Sequence, residues 1–274
     1  MTRAPDRFFD GYVFDLDGTV YLGDDLLPGA KETLGELKRR SRVVYLTNKP
    51  LQMPADYAAK LTGLGIETSP EEVISSTDAL LLYLREHALE ARLFVVGERP
   101  LVGLLREGGY EVLDHEGVDV VVVSFDRTFD YRKLKVAFDA VRGGARIVAT
   151  NPDAYCPTPE GGLPDCAAML AAVEASTGVG AEAVVGKPSQ HMARTVLERL
   201  GLPAQDTLLV GDRLATDVRL AKEAGMAAAL VLTGATTLDE ALRSEDRPDY
   251  IIEGLGELLP SGDDPDAATR AGGG

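Results

Sequence analysis

The residues able to do chemistry come in four short sets. The run "YVFDLDGT" drives an apolar stretch into Asp15 and Asp17, followed by Gly18 and Thr19. "VVYLTNK" ends in Thr47, Asn48 and Lys49, "AVVGKP" carries Lys187, and "LLVGDRLATD" carries Asp212 and Asp217. Asp15 and Asp17 are two apart, so on a strand they point to one side while Leu16 turns away into packing. Two carboxylates that close cannot both ionise cheaply where water is scarce. A divalent cation relieves the repulsion, and Asp212 and Asp217 add oxygen ligands or acceptors behind them. An oxygen-rich site that keeps several waters suits Mg²⁺ better than zinc. Thr47, Asn48 and Lys187 supply a hydroxyl, an amide and a point charge, which suit a phosphoryl dianion. The chemistry these predict together is phosphoryl transfer through an aspartyl phosphate. One carboxylate attacks phosphorus. The other protonates the leaving oxygen, then deprotonates the water that cleaves the intermediate.

Four sets can meet only if the elements before them lie side by side. "YVFDL" (12–16), "RVVYLT" (42–47), "TLLVG" (207–211) and "AAALVL" (227–232) are short, apolar and without alternation, as strands buried on both faces are. Helical patterns lie between them, as over 189–200, where Ala193, Val196, Leu197 and Leu200 share a face. The class is therefore α/β with a doubly wound parallel sheet, whose ligands bind beyond the carboxyl ends of the strands. The middle reads as a second, smaller α/β unit, with strands at 91–97, 119–125 and 145–151 and a helix at 131–142. It separates "TNK" from "GKP", so it is an insertion. The expected division is a core over 1–80, an inserted domain over 81–182, the core again over 183–261, and a disordered polar tail over 262–274.

Composition narrows the class of partner. The chain has 274 residues and a formal net charge of −16, with a pI near 4.6. That excess of anions argues against nucleic acid and against an anionic membrane surface. An anionic substrate would need a local cation, which Lys187 supplies. Cys156 and Cys166 have neither CxxC spacing nor His-rich neighbours, so zinc is not expected, and two thiols suit a reducing cytosol. The amino terminus has no apolar signal-like segment, and no apolar run approaches the ~20 residues of a membrane span. A cytoplasmic location is the expectation.

"DLDGT" (15–19), "TN" (47–48), the lysine of "GKP" (186–188) and "GDRLATD" (211–217) resemble, in order, the four motifs of the haloacid dehalogenase superfamily. The long insertion between the second and third resembles that superfamily's C2-type cap. It points to subclass IIA, the NagD- and p-nitrophenylphosphatase-like branch, which "LPGA" (27–30) and "ATNPD" (149–153) also resemble. The resemblance implies that Asp15 is the nucleophile and Asp17 the general acid/base. It implies Mg²⁺ on Asp15, the backbone carbonyl of Asp17, and Asp212, supported by Asp217 through water or from behind. Thr47, Asn48 and Lys187 would bind the phosphoryl group. True dehalogenases of the superfamily lack the second aspartate, so Asp17 favours phosphate chemistry. Lys49 departs from the asparagine common at that place in the branch. It is expected to add charge at the rim, outside the four-motif chemistry. The segment 160–178 resembles the cap of sugar-phosphate phosphatases, which favours a sugar or polyol phosphate as substrate, with Asp153, Asp165 and Cys166 facing the leaving group. A homodimer through the cap is the protein partner that the resemblance suggests.

Each set alone has a plainer explanation. Asp15 and Asp17 could be a solvated strand-end turn, Thr47, Asn48 and Asp217 helix caps, Lys187 a surface position and Cys166 a packing residue. Only their conjunction favours the site. Phosphoglycolate, nucleotides and pyridoxal phosphate are alternative substrates within the branch. A mutase shares the intermediate, but mutases of the superfamily mostly carry a helical cap after the first motif. A non-catalytic sensor of phosphometabolites is the alternative from another class.

Overall fold

In the computed structural model, which describes residues 2–158 and 161–259, the unalternating apolar runs form parallel strands. β1 (Gly11–Asp15) leads through a hairpin of β2 (Tyr21–Leu22) and β3 (Asp25–Leu26) and a helix, Ala30–Arg40, to β4 (Arg42–Thr47). A second helix, Pro54–Gly63, leads to β5 (Val73–Ser75). The chain then builds another sheet from β6 (Arg92–Val96), β7 (Glu111–Leu113), β8 (Val120–Val123) and β9 (Arg146–Ala149). An antiparallel hairpin, β10 (Tyr155–Thr158) and β11 (Gly161–Pro164), follows, and β12 (Ala183–Val184) completes that sheet. β13 (Thr207–Gly211), β14 (Ala227–Val231) and β15 (Tyr250–Ile252) return to the first.

The first sheet has the order β15-β14-β13-β1-β4-β5 and the second β12-β9-β8-β6-β7, with every pairing in both parallel. From β1 the chain first works outward through β4 and β5, and only later fills the other side with β13. The order reverses between β1 and β13, which makes the crevice at their carboxyl ends the place where an open parallel sheet binds ligands.

Both faces of the first sheet are covered, as parallel pairing requires. On β1, Tyr12 and Phe14 pack with Leu34, Leu37 and Tyr45, while Val13 faces the opposite way with Val44, Leu46 and Leu209. That second cluster continues through Leu80, Tyr83 and Leu84 to Leu93, Val95, Val120 and Val122 of the second sheet. Phe94, Val121, Val123 and Ile147 form a separate core with Met169, Leu170 and Val173 of helix Cys166–Thr177.

Two expected boundaries move. The division at 80/81 falls inside helix Ser76–His87, which the two sheets share as packing surface. The division at 182/183 would assign β12 to the first sheet, yet β12 pairs with β9 of the second. A two-residue strand carries no sequence mark of which edge it joins. The tail expected over 262–274 lies outside the described residues. Among the described residues, no helix is long and apolar enough to cross a membrane.

Candidate active site

The register of β1 against β13 pairs Phe14 with Val210, so Asp15 and Asp212 leave neighbouring strands at almost the same height. Both are buried, and with Asp217 they offer carboxylate oxygens that all lie within 4.8 Å of one another. The turn after Asp15 needs glycine. Gly18 has φ of 84°, and a Cβ there would lie 2.7 Å from Asp212 Oδ2. Asp217 does not cap a helix. It sits in a π-helical turn, Leu214–Val218, entered from Arg213, whose backbone N–H donates to Asp217 Oδ2 at 3.1 Å. That wider turn brings Asp217 beneath β13, where a Cβ on Gly211 would lie 2.4 Å from its carboxylate carbon.

Lys187 reaches the cluster from the loop after β12, just before a cis bond to Pro188 and the Ser189 cap of helix Gln190–Leu200. Its Nζ donates to Asp15 Oδ1 at 2.5 Å and to Asp217 Oδ1 at 2.7 Å, and its side chain is 5% exposed. Burial works against its charge, but Asp15 and Asp217 outweigh burial and hold the ammonium above its usual range. Burial drives the Asp15 carboxyl well above the usual carboxylate range; Lys187 opposes this, while Asp217 and Asp212 add to it. Burial, with Asp217 next in weight, pushes Asp212 up to about 6.

Asp212 shows what the cluster lacks. Its Oδ2 accepts from the Ala235 N–H at 2.7 Å, but its Oδ1 is buried with no partner. Buried polar atoms are nearly always paired, and an orphaned carboxylate oxygen beside two further carboxylates is the donor set a hard divalent cation takes. Asp15, Asp212 and Asp217 therefore fit a divalent ion.

The other residues expected at the site divide into those that face it and those that hold it. Thr47, buried at the end of β4, accepts from the Lys49 N–H at 3.1 Å. Asn48, expected to bind the phosphoryl group, is committed elsewhere. Its Oδ1 accepts from the Lys187 N–H at 2.8 Å, and its Nδ2 donates to the Lys187 carbonyl at 3.2 Å and to Asp153 Oδ2 at 3.0 Å. Asn48 thus ties Lys187 and the cap loop to the end of β4. Asp17 is partly exposed, and its Oδ2 accepts from Lys49 Nζ at 2.9 Å. Lys49 is therefore no idle rim charge. Burial works against its ammonium, but Asp17 prevails and raises it. Tyr57 donates to the Lys49 carbonyl at 3.0 Å.

Among the cap residues, Asp153 reaches the site through Asn48. Asp165 is buried at the start of helix Cys166–Thr177, accepting from the Cys166 N–H at 2.6 Å. Burial pushes its carboxyl up to about 6, against that hydrogen bond. Cys166 does not face a leaving group. It is fully buried among the residues of the cap core, donates to the Val123 carbonyl at 3.4 Å, and has its thiol pushed up to about 11 by burial. Cys156, on β10, is the thiol that comes near Lys49 and Tyr57. Neither cysteine forms a disulfide. Nothing in the sequence pattern distinguished the two. β10 looks like loop, and the pairing of Lys49 with Asp17 spans thirty-two positions.

The comparisons with known proteins agree with this geometry. A family model for haloacid dehalogenase-like hydrolases matches residues 12–111, and a HAD-hydrolase-like model matches residues 184–258. The chain is 36% identical over 253 residues to the sugar-phosphatase AraL of Bacillus subtilis (strain 168), covering 90% of this chain and 91% of that one. The crystal structure of 4-nitrophenylphosphatase from Thermotoga maritima superposes with a TM-score of 0.87 at 37% identity, covering 91% of this chain and 96% of that one. The glycerol phosphate phosphatase of Mycobacterium tuberculosis, solved in complex with calcium, superposes with a TM-score of 0.85 at 33% identity, covering 91% of this chain and 74% of that one. The chain belongs to the haloacid dehalogenase-like hydrolases, in their subclass IIA beside the NagD- and p-nitrophenylphosphatase-like proteins, and is a phosphomonoester hydrolase.

Proposed function

We propose that this chain hydrolyses sugar or polyol phosphates, with Mg²⁺ and through an aspartyl phosphate on Asp15. The observation that carries the reading is one lysine bridging two buried aspartates beside a third whose Oδ1 is orphaned. Lys187 engages Asp15 Oδ1 and leaves Oδ2 without a hydrogen bond among the described residues, so Oδ2 is the oxygen that attacks phosphorus. Attack needs the ionised carboxylate, which burial opposes and Lys187 favours. Lys187 and the Thr47 hydroxyl offset charge on the phosphoryl oxygens, and Asn48 fixes Lys187 in place. Asp17, held by Lys49 through Oδ2, keeps Oδ1 for the leaving oxygen and then for the hydrolytic water. The groups that would hold Mg²⁺ are the Asp15 and Asp212 carboxylates and the Asp17 carbonyl, with Asp217 supporting them. When bound, the cation supplies positive charge for the phosphoryl oxygens and relieves the crowding of carboxylates.

The similarity to a sugar-phosphatase and to a glycerol phosphate phosphatase supports the substrate class. The test is phosphate release over a panel of sugar phosphates, glycerol phosphate, phosphoglycolate, nucleotides and pyridoxal phosphate, with and without EDTA. Highest turnover on a sugar or glycerol phosphate, silenced by EDTA and restored by Mg²⁺, is the expected result. Turnover indifferent to chelation removes the metal from the mechanism, and preference for a nucleotide or pyridoxal phosphate removes the substrate class.

A further inference from the structure

A fifth strand end reaches the acidic cluster, and none of the four sequence sets includes it. β14 runs parallel beside β13 and is followed by Leu232, Thr233, Gly234 and Ala235. Leu232 still belongs to the ladder, its N–H donating to the Ile252 carbonyl at 2.9 Å. The next three residues turn back over the end of β13, where each meets either Asp212 or the loop that follows β1.

Asp212 is gripped by this turn. The Ala235 N–H donates to its Oδ2 at 2.7 Å, while its Oδ1 stays buried without a partner. A Cβ on Gly234 would lie 2.1 Å from that same Oδ2 and 2.6 Å from the carboxylate carbon. A Cβ on Gly18 would lie 2.7 Å from Oδ2 and 3.1 Å from the Gly234 Cα. Two glycine backbones thus press against one carboxylate, closer than any side chain permits. The terminal torsion of an aspartate is otherwise soft. Here one oxygen is tied and the space around it is filled by backbone, so the direction of Oδ1 is set.

The same turn steadies the loop after β1. Thr233 Oγ1 donates to the Gly18 carbonyl at 2.7 Å, across 215 positions. The Gly18 N–H donates to the Tyr21 carbonyl at 2.8 Å. That N–H shares a planar peptide unit with the Asp17 carbonyl, the backbone group assigned to the ion in the reading above. Glycine is the residue whose backbone resists least, and Gly18 is held at both its N–H and its C=O. The direction of the Asp17 carbonyl is fixed with it.

We infer that Thr233, Gly234 and Ala235 form a positioning element that sets the affinity for the divalent ion, by orienting Asp212 Oδ1 and the Asp17 carbonyl before the ion arrives. The inference rests on the reading above, in which those two oxygens hold Mg²⁺. Groups that orient metal ligands typically govern about 10- to 100-fold in affinity.

The test reads binding of Mg²⁺ alone to the full chain, without substrate, from the rise in Tm on titration with MgCl₂. Thr233→Val keeps the shape and loses the hydroxyl, and is expected to weaken Mg²⁺ by about 10-fold. Thr233→Ser should restore the affinity to within about threefold. Gly234→Ala should weaken it by about 100-fold or abolish the rise, because the added methyl must displace the Asp212 carboxylate. If Gly234→Ala does not fold, the Thr233 pair decides alone. A lower metal-free Tm in Thr233→Val with unchanged Mg²⁺ affinity makes the turn a structural brace and overturns the inference. So does a Ser variant that binds no better than the Val variant. No Mg²⁺-dependent rise in the unsubstituted protein removes the metal reading and the inference with it. A rise there that Thr233→Val shares in full removes the inference and leaves the metal reading standing.

Discussion

Two aspartate–lysine pairs, each with its carboxylate buried, stand at the carboxyl ends of parallel strands, one in each sheet, and they are finished differently. In the second sheet, Asp126 follows β8 and has no exposed side-chain surface. Its Oδ2 accepts from Lys133 Nζ at 2.5 Å, and its Oδ1 accepts from the Thr128 N–H and hydroxyl at 2.9 and 2.7 Å. Lys133 also donates to the Thr128 hydroxyl and the Gly97 carbonyl, so the network closes on itself. In the first sheet, Asp15 and Lys187 meet across 172 positions and bring in Asp217, yet among the described residues Asp15 Oδ2 makes no hydrogen bond and Asp212 Oδ1 is buried without a partner. A strand end with polar residues is thus not enough to mark a reacting site. The mark is a carboxylate cluster that stays incomplete: among the described residues, hydroxyls of Tyr45, Thr77 and Tyr110 are also buried without partners, but only at Asp212 does an orphaned carboxylate oxygen stand beside two further carboxylates, the set a cation completes.

The contrast can be broken by substitution. Asp15→Asn should lower kcat by on the order of 10⁴-fold or more while the protein still folds, because it removes the attacking group. Retained turnover in stopped or continuous phosphate-release assays would reassign the nucleophile. Lys49→Met should lower kcat on an alkyl phosphate by about 10- to 100-fold through the loss of a fixed Asp17. p-Nitrophenyl phosphate, whose leaving group needs little protonation, should suffer less, and equal losses on both substrates would remove Lys49 from that role. Asp126→Ala should leave kcat nearly untouched but cost about 2 kcal/mol, a fall in Tm of about 4–8 °C, since Lys133 is left without its anion but can turn toward water. A large kcat defect there would erase the distinction between the two pairs.

The smallest effect sharpens the contrast within the cap. Asp165 has its carboxyl raised to about 6 by burial, so the fold prefers its neutral form. That preference contributes fully below the ordinary carboxylate value and is lost as pH climbs through about 6. Asp165→Asn keeps an amide cap on helix Cys166–Thr177 without the ionisation, so its Tm relative to the unsubstituted protein should improve between pH 4 and pH 7. A difference that does not vary with pH would place the raised carboxyl elsewhere.

Sequence and structure agree best where apolar runs were long and local. β1, β4, β6, β13 and β14 fall on their apolar runs to within a residue or two, and the helix expected over 131–142 is Tyr131–Arg142. The four sets also meet, because a parallel sheet brings successive strand ends to one rim. The details of pairing were out of reach. Asn48 carries a phosphate binder's side chain, but its amide is taken by Lys187 and Asp153, far along the chain. Lys49 looked peripheral because its partner is fixed by the fold and not by spacing. Cys166 begins a helix whose small apolar residues give it no preferred side, so its burial depended on a sheet that only the tertiary fold supplies.

The side chain of Asn48 has two hydrogens, and one is lent to the cap loop while the lysine keeps its own hold on the same carboxamide. Losing the Asp153 contact forfeits one charge-assisted bond, about 1.5–3 kcal/mol, and leaves the remaining clasp on Lys187 intact. Asn151 grips Asn48 by the backbone, Nδ2 to the Asn48 carbonyl at 3.3 Å, so the rivet that seats the lysine is also a stitch between the inserted unit and the sheet beneath it.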